Sequence, residues 1–119
     1  MIIEKKKFLD SKKTKPHYYI SFNTENGEHL GGYNISGYYL YSFYITRQFR
    51  GKGFSKVIIN HAVSKKKNLY LDVNPDNIPA IKCYERAGFK FEKEITYYNP
   101  LWDYPDQKKY RVLRYKHQK

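Results

Sequence analysis

The sequence has a single cysteine and no long apolar run, and these two shortages exclude several classes of protein. Cys83 alone cannot form a disulfide within the chain, which fits a reducing compartment. No segment approaches the ~20 consecutive apolar residues that a membrane-spanning helix needs. The first ten residues also lack the apolar core of a signal peptide. We therefore expect a soluble, cytoplasmic protein with no membrane among its partners.

Histidine and acidic residues are also scarce. The four histidines, at positions 17, 29, 61 and 117, show none of the spacings that are typical of metal ligands, so we expect no metal. Only 11 Asp and Glu stand against 23 Lys and Arg, which gives a net charge of +12. This charge favours an anionic ligand or partner, although charge alone concerns long-range attraction and says nothing about fold.

The 119 residues are enough for one domain, and they contain no internal repeat, linker or low-complexity segment. Residues 1–16 are rich in lysine and weakly patterned. The sequence predicts at most one short strand there, with a mobile end at the stretch KKTKP. We therefore expect a single domain over residues 1–119, in which residues 1–16 form a basic, partly mobile N-terminal segment.

From His17 onward, β-branched and aromatic residues predict three strands with short connections. The strands are HYYISFN, HLGGYNI and YYLYSFYIT, and the pairs NG and SG mark the turns between them. The two glycines of the second strand, Gly31 and Gly32, predict a bulge. Successive strands joined in this way form an antiparallel meander.

The second half of the chain alternates helices with strands. Apolar residues at helical spacing predict one helix in FSKVIINHAVSKK and another in PDNIPAIKCYERAG. The second helix has Asp76 or Asn77 as its cap, Pro79 in its first turn and Gly88 at its end. LYLDV, FKFEKEITYY and KKYRVLRYK are predicted strands, and NPLWDYPDQ is a predicted loop. The order β-β-β-α-β-α-β-β predicts a mixed α/β (α+β) fold.

The segment QFRGKGFSK, residues 48–56, joins the third strand to the first helix. A helix N-terminus carries unpaired N–H groups and a partial positive charge, and glycines in the preceding turn let such groups surround an anion. The spacing of a Walker loop is absent, and the dinucleotide fingerprint fails because Lys56 occupies its third glycine position. A glycine pair alone would favour a plain connection that holds no ligand.

A second segment, NIPAIKCYERAGF at residues 77–89, changes that balance. Asn77, Ala80, Tyr84 and Ala87 have the spacing of residues on one helix face. Taken singly, Tyr84 would be a half-buried core residue and Asn77 a helix cap. The two segments lie about 25 residues apart, a separation that suits a β-α-β crossover.

Together the two segments resemble the GNAT superfamily of acyl-CoA-dependent N-acyltransferases. QFRGKG at 48–53 matches the family's Q/R-x-x-G-x-G/A turn, and residues 77–89 match its second motif. The resemblance runs from about Tyr39 to Phe91, and the strand pattern extends it to Tyr115. It implies a GNAT-like fold: an antiparallel meander, then β-α-β-α-β-β, with the central strands splayed and the N-terminal helices reduced or absent.

The resemblance also implies acetyl-CoA as co-substrate and assigns roles to single residues. Main-chain N–H groups of residues 50–55 would hold the pyrophosphate, the strand ending at Ile45 would pair with the pantetheine arm, and Asn77 would reach that arm. The N–H of Ile45 is the candidate donor to the oxyanion, and Tyr84 is the candidate acid for the leaving thiolate. The implied cofactor-binding set is Ile45, Gln48, Arg50, Gly51, Lys52, Gly53, Phe54, Ser55, Asn77, Ala80 and Tyr84.

Two features depart from the family pattern. The strand YYLYSFYI has no carboxylate where some members place a glutamate base. Asp72, Glu94 or His29 could act through water instead, or a tyrosine-lined water path could carry the proton, and the base stays unassigned. The residues before the meander also show no amphipathic helix, so we expect an open acceptor site, which suits a protein or peptide amine. The loop with Trp102 and Tyr104 either borders that site or covers the sheet edge.

The sequence thus favours an N-acetyltransferase, monomeric or homodimeric, that moves an acetyl group from acetyl-CoA directly to a primary amine. Two alternatives stay open. A GNAT-like protein that binds coenzyme A without catalysis would explain the missing base. A basic nucleic-acid-binding module would use the many aromatic residues, but the lysines do not interleave with tyrosines along one face, so nucleic acid is the less favoured partner.

Overall fold

The computed structural model describes residues 1–9, 16–97 and 110–118. Within these ranges, seven strands form one mixed sheet in the spatial order β1-β2-β3-β4-β5-β7-β6, accompanied by two α-helices. The predicted order of elements is therefore confirmed, with one strand added at the N-terminal side. The elements are β1 (Ile2–Leu9), β2 (Pro16–Asn23), β3 (His29–Ser36), β4 (Tyr39–Ile45), α1 (Phe54–Lys65), β5 (Leu69–Val73), α2 (Ile78–Arg86), β6 (Lys90–Tyr97) and β7 (Tyr110–His117).

The lysine-rich N-terminal segment forms an edge strand of eight residues. It pairs antiparallel with β2 from Ile2 opposite Asn23 to Leu9 opposite Pro16. The prediction of at most a short strand was wrong here, because backbone pairing with β2 does not require an alternating side-chain pattern. Lysines are common on edge strands, since their charge discourages pairing with another chain. The predicted mobile stretch lies outside the described residues, apart from Pro16.

The glycine pair of β3 lies where two neighbouring strands come close. A Cβ atom on Gly31 would lie 2.3 Å from the carbonyl oxygen of Tyr44, and one on Gly32 would lie 2.5 Å from that of Ile20. Both glycines are therefore required by close packing of the backbone. The bulge that they predicted lies just beside them, because Leu30 is the extra residue of β3 where its register against β2 shifts.

Strand β4 contains a second bulge. Tyr41 pairs with Asn34 and Tyr44 pairs with Gly32, so two residues of β4 lie opposite Tyr33 alone. Ser42, the first of these two, has a left-handed backbone with φ of 52°. A bulge of this kind bends its strand and increases the local twist.

Both helices lie on one face of the sheet. α1 packs against β3, β4 and α2, and its buried residues Ile58, Ile59, Ala62 and Val63 meet the core. The opposite face of the sheet carries no helix among the described residues. This agrees with the expected reduction of the N-terminal helices.

Strands β4 and β5 are parallel neighbours that separate along their length. Their pairing is confined to Tyr39 opposite Tyr70, next to a hydrogen bond of 2.7 Å from the Tyr70 N–H to the Tyr38 carbonyl. Beyond that point β4 bends away while β5 continues to pair with β7 on its other side. The splayed central strands are thereby confirmed, and they open a gap in the middle of the sheet.

The last two strands lie where the sequence predicted strands, and they pair antiparallel with each other. The predicted loop NPLWDYPDQ falls outside the described residues. Neither of the described helices is long and apolar enough to span a bilayer.

Candidate active site

The turn before α1 has the backbone that its glycines predicted. After a turn of 3₁₀-helix at Arg47–Phe49, Gly51 and Gly53 take left-handed conformations with φ of 77° and 85°. Gly53 is the N-cap of α1, and no side chain caps the first turn of that helix. The first N–H groups of α1 therefore remain as potential donors to an anion.

A cavity of about 580 Å³ connects this turn with β4 and α2. Nine of the eleven predicted cofactor-binding residues line it, from Ile45 and Arg50 on one side to Asn77 and Tyr84 on the other. The sequence analysis did not assign the remaining lining residues to the cofactor site; they are Phe43, Tyr44, Phe49, Pro79 and Cys83.

Two predicted residues do not line this cavity. The Gln48 side chain is exposed and donates a hydrogen bond of 3.5 Å to Glu28. Lys52 is also exposed, and its Nζ lies 5.8 Å from the centre of the Phe49 ring. Their side chains are thus placed at the outer surface of the turn.

The residues of the turn fit a diphosphate. A Cβ atom on Gly51 or Gly53 would meet no atom within 4 Å, so the space beside the turn is open. Arg50 stands at this end of the cavity, and its Nε donates a hydrogen bond of 2.9 Å to the carbonyl of Ile45. An arm that pairs with β4 would compete with Arg50 for that carbonyl oxygen.

The main-chain N–H of Ile45 faces the gap. The Thr46 N–H donates to the Leu30 carbonyl of β3 at 2.8 Å. Because neighbouring residues of a strand direct their N–H groups to opposite sides, the N–H of Ile45 points away from β3 and toward β5. That orientation is the one that an oxyanion donor inside the cavity requires.

Tyr84 is a buried residue of the cavity wall. Only 9% of its surface is exposed, and its ring packs edge-on against those of Phe43 and Phe89. Burial, with a smaller contribution from Cys83, raises the pKa of Tyr84 to about 12. The phenol therefore keeps its proton at neutral pH. Burial also raises the pKa of the Cys83 thiol, which disfavours that residue as a nucleophile.

A smaller cavity of about 190 Å³ occupies the gap between β4 and β5. It shares Phe43, Asn77 and Tyr84 with the larger cavity, and it adds Tyr41 and Asp72 from the two strands. The two cavities therefore meet at Tyr84, between the helix-covered face of the sheet and the gap.

Asn77 has two possible functions at once. It is the N-cap of α2, and its Oδ1 accepts a hydrogen bond of 3.4 Å from the Ala80 N–H. It also lines both cavities. The cap residue that the sequence left open between Asp76 and Asn77 is thus Asn77.

The three residues that the sequence offers as general base, two carboxylates and one imidazole, have different surroundings. Asp72 accepts two hydrogen bonds from Arg114, at 2.8 and 3.1 Å. Glu94 pairs with Arg111 at 3.0 Å, on the far strands of the sheet. His29 instead contacts Tyr44, a lining residue of the larger cavity.

Tyr44 is the most informative residue that the sequence analysis missed. Its side chain lies on the helix-free face because the bulge at Ser42 keeps Tyr41 and Tyr44 on the same side of β4. A regular strand would place residues three apart on opposite faces. No local pattern in YYLYSFYI predicts the bulge.

Comparison with known proteins agrees with this geometry. Residues 4–89 match the acetyltransferase (GNAT) family. Over 67 residues the chain is 30% identical to the peptidyl-lysine N-acetyltransferase YjaB of Salmonella typhimurium, covering 56% of this chain and 46% of that protein. Over 61 residues it is 36% identical to the spermine/spermidine N(1)-acetyltransferase of Bacillus subtilis, covering 46% of this chain and 40% of the relative.

The fold is also that of a solved structure. The apo form of YjaB from Escherichia coli superposes with a TM-score of 0.64 at 18% identity, over 98% of both chains. The chain spans less than half the length of the two curated relatives named above. The match over residues 4–89 covers well over half of the chain. On this evidence, the chain belongs to the acetyltransferase (GNAT) family.

Proposed function

We propose that this protein transfers the acetyl group of acetyl-CoA directly to a primary amine of a protein or peptide. The observation that carries the proposal is the cavity that joins the uncapped N-terminus of α1, the edge of β4 and the buried hydroxyl-bearing ring of Tyr84. A thioester that carries a long pantetheine arm and a charged pyrophosphate requires these three elements.

Each residue has a separate task in the reaction. The amine attacks the thioester carbon, and the N–H of Ile45 stabilises the negative charge on the carbonyl oxygen. As the carbon–sulfur bond breaks, Tyr84 donates its proton to the leaving thiolate. The raised pKa of Tyr84 supports this task because the phenol is fully protonated before the reaction.

The acceptor class follows from the relatives and from charge. The relatives named above acetylate peptidyl-lysine or spermine and spermidine, according to their names. Spermine is a polycation, and a protein with a net charge of +12 repels it. A lysine flanked by acidic residues carries less net charge, so we favour that acceptor over a polyamine.

Acetyl-CoA binding is tested first. At about 100 times its Kd, a ligand that binds only the folded state stabilises the protein by about 2.7 kcal/mol, which raises the melting temperature measurably. Acetyl-CoA without any shift of the melting temperature would contradict the proposal. Transfer is then read by mass spectrometry, with peptides that carry one lysine between acidic or between basic residues. Peptides whose lysine is already acetylated provide the matched control.

A comparison with spermine separates the acceptor classes. Faster acetylation of the acidic lysine peptide than of spermine is expected. The reverse order would identify a polyamine acceptor. Binding of acetyl-CoA without transfer to either acceptor would favour a coenzyme-binding protein that lacks catalysis.

A further inference from the structure

A chain of hydrogen bonds begins at the hydroxyl of Tyr44, a residue that also lines the larger cavity, and runs across the helix-free face of the sheet. The Tyr44 hydroxyl lies 2.5 Å from His29 Nε2 and 2.5 Å from the Tyr19 hydroxyl. On its other side, His29 Nδ1 lies 3.0 Å from Asn23 Oδ1 and 3.4 Å from Ser21 Oγ. Three strands, β2, β3 and β4, therefore supply one connected network.

The network fixes the direction of each hydrogen bond. The Asn23 amide nitrogen donates to Ser21 at 3.3 Å, so its oxygen faces His29 and can only accept. The hydrogen of neutral His29 is therefore on Nδ1, and Nε2 accepts. It follows that Tyr44 donates to His29, while Tyr19 donates to Tyr44. One lone pair of the Tyr44 oxygen remains for a further donor.

We propose that Tyr44 and His29 form the path by which the acceptor amine loses its proton. This inference rests on the proposed acetyl transfer. As the amine nitrogen bonds to the thioester carbon, its proton passes to the Tyr44 oxygen, and the Tyr44 proton passes to His29 Nε2. The product is an amide, an imidazolium whose Nδ1–H bonds to Asn23, and a thiol that received the proton of Tyr84. Solvent then takes the proton from His29 and returns one to Tyr84.

The surroundings of Tyr44 favour a proton relay, in which one proton arrives as another leaves. They disfavour a phenolate that would hold a negative charge. Burial, followed by the hydrogen bond to Tyr19, raises the pKa of Tyr44. A phenolate at this position is thus unfavourable, and the proton must arrive as another leaves. The titratable groups around His29 are Tyr19 on β2 and Tyr44 on β4, with Glu4 of β1 facing the same side opposite Ser21.

The other polar groups near the gap are less suited to this task. Both carboxylate oxygens of Asp72 already accept hydrogen bonds from Arg114. A second tyrosine–histidine pair, Tyr41 with His17, lies on the same face. It is exposed, and Tyr41 lines only the smaller cavity. We therefore assign the proton path to Tyr44, which is adjacent in sequence to Ile45 and lines the same cavity.

The test compares His29→Gln with His17→Gln in the full chain. Glutamine can still accept the Tyr44 hydrogen bond, but it cannot take the proton. With the lysine peptide as acceptor, H29Q is expected to lower kcat by roughly 100-fold or more, and it removes the acid limb of the kcat/KM–pH profile that His29 contributes. H17Q is expected to change kcat by less than twofold. Acetyl-CoA shifts the melting temperature of both variants as in the wild type, which shows that both are folded.

Several outcomes would overturn the inference. H29Q with wild-type kcat and pH profile removes His29 from the path, and a large loss in H17Q alone assigns the path to the other pair. Tyr44→Phe must cause a loss similar to that of H29Q, and the double variant must lose little more, because both residues act in one path. Full additivity would contradict this.

A measurement without turnover separates the inference from the proposed function. Long-range proton–nitrogen NMR spectra of the resting protein are expected to show His29 with its hydrogen on Nδ1. Hydrogen on Nε2 would contradict the path even if the wild type acetylates peptides. Absence of wild-type transfer with the expected tautomer would instead sink the proposed function, and the proton path with it.

Discussion

The rings of Phe43 and Tyr84 pack edge to face across the candidate active site, with centroids 5.8 Å apart and planes inclined by 74°. One ring comes from the strand that opens the gap, and the other comes from the helix that closes it. This contact ties the orientation of the Tyr84 phenol to the position of β4.

Replacing Tyr84 with phenylalanine is expected to lower kcat by about 100-fold or more, because the thiolate would leave without a proton donor. Acetyl-CoA affinity is expected to change by less than twofold, since the ring and its packing remain. Steady-state kinetics and acetyl-CoA titration measure the two effects. Tyr115→Phe is the matched control, because Tyr115 is a buried tyrosine that lines neither of these cavities. Equal turnover by Y84F and Y115F would remove Tyr84 from the acid role.

The pH dependence of stability reports on the same phenol. Its pKa is about 12 in the folded protein and 10.0 for an ordinary tyrosine. The folded state therefore holds the proton more tightly, and the stabilisation is complete below pH 10 and is lost as pH rises through 12. Two pKa units correspond to about 2–3 kcal/mol. Urea unfolding between pH 9 and 12 is expected to show a steeper loss for the wild type than for Y84F. Parallel curves would contradict the buried, protonated phenol.

The two possible functions of Asn77 can be separated by substitution. Asn77→Ala removes the cap of α2 and is expected to destabilise the protein by about 1 kcal/mol. Asn77→Ser restores an N-cap oxygen but lacks the amide that would reach the pantetheine arm. We expect N77S to unfold like the wild type and to bind acetyl-CoA several-fold more weakly. Denaturant titration and isothermal calorimetry provide the two readouts. Wild-type acetyl-CoA affinity in N77S would leave Asn77 with the cap alone.

The left-handed turn before α1 can be tested at Gly53. Alanine there meets no neighbouring atom but must adopt φ of 85°, so Gly53→Ala is expected to cost about 1–2 kcal/mol from backbone strain. Gly53→Asn, whose side chain tolerates this conformation better, is expected to cost less. Thermal unfolding, with and without acetyl-CoA, measures the loss of stability in both variants. If alanine and asparagine behave alike, the left-handed turn is not what Gly53 provides.

Much of the fold was predictable because each element has its own local signal. Helix α1 with its apolar spacing, helix α2 with its cap and glycine stop, and the strands β5 and β7 all lie where the sequence placed them. The full length of β1 was not predicted because its lysines hide the alternation, and its pairing with β2 is what makes all eight residues a strand. Local signals cannot report such a long-range pairing.

The candidate site divides in the same way. Residues of the turn and of α2 were predictable because their spacing along the chain sets their spacing in space. Tyr44, His29 and Tyr19 meet only after three strands assemble in a particular register, and no sequence spacing encodes that meeting. The outward placement of Gln48 depends on the 3₁₀ turn at Arg47–Phe49, which the motif alone did not reveal.

The bulge at Ser42 has a consequence for how a ligand would enter. Because the extra residue bends β4 within the folded backbone, the space between β4 and β5 exists before any thioester arrives. A ligand that binds in this space therefore does not have to separate β4 from β5. The site is preorganised. The free-energy cost of separating the two neighbouring strands arises during folding and does not reduce the affinity for the ligand.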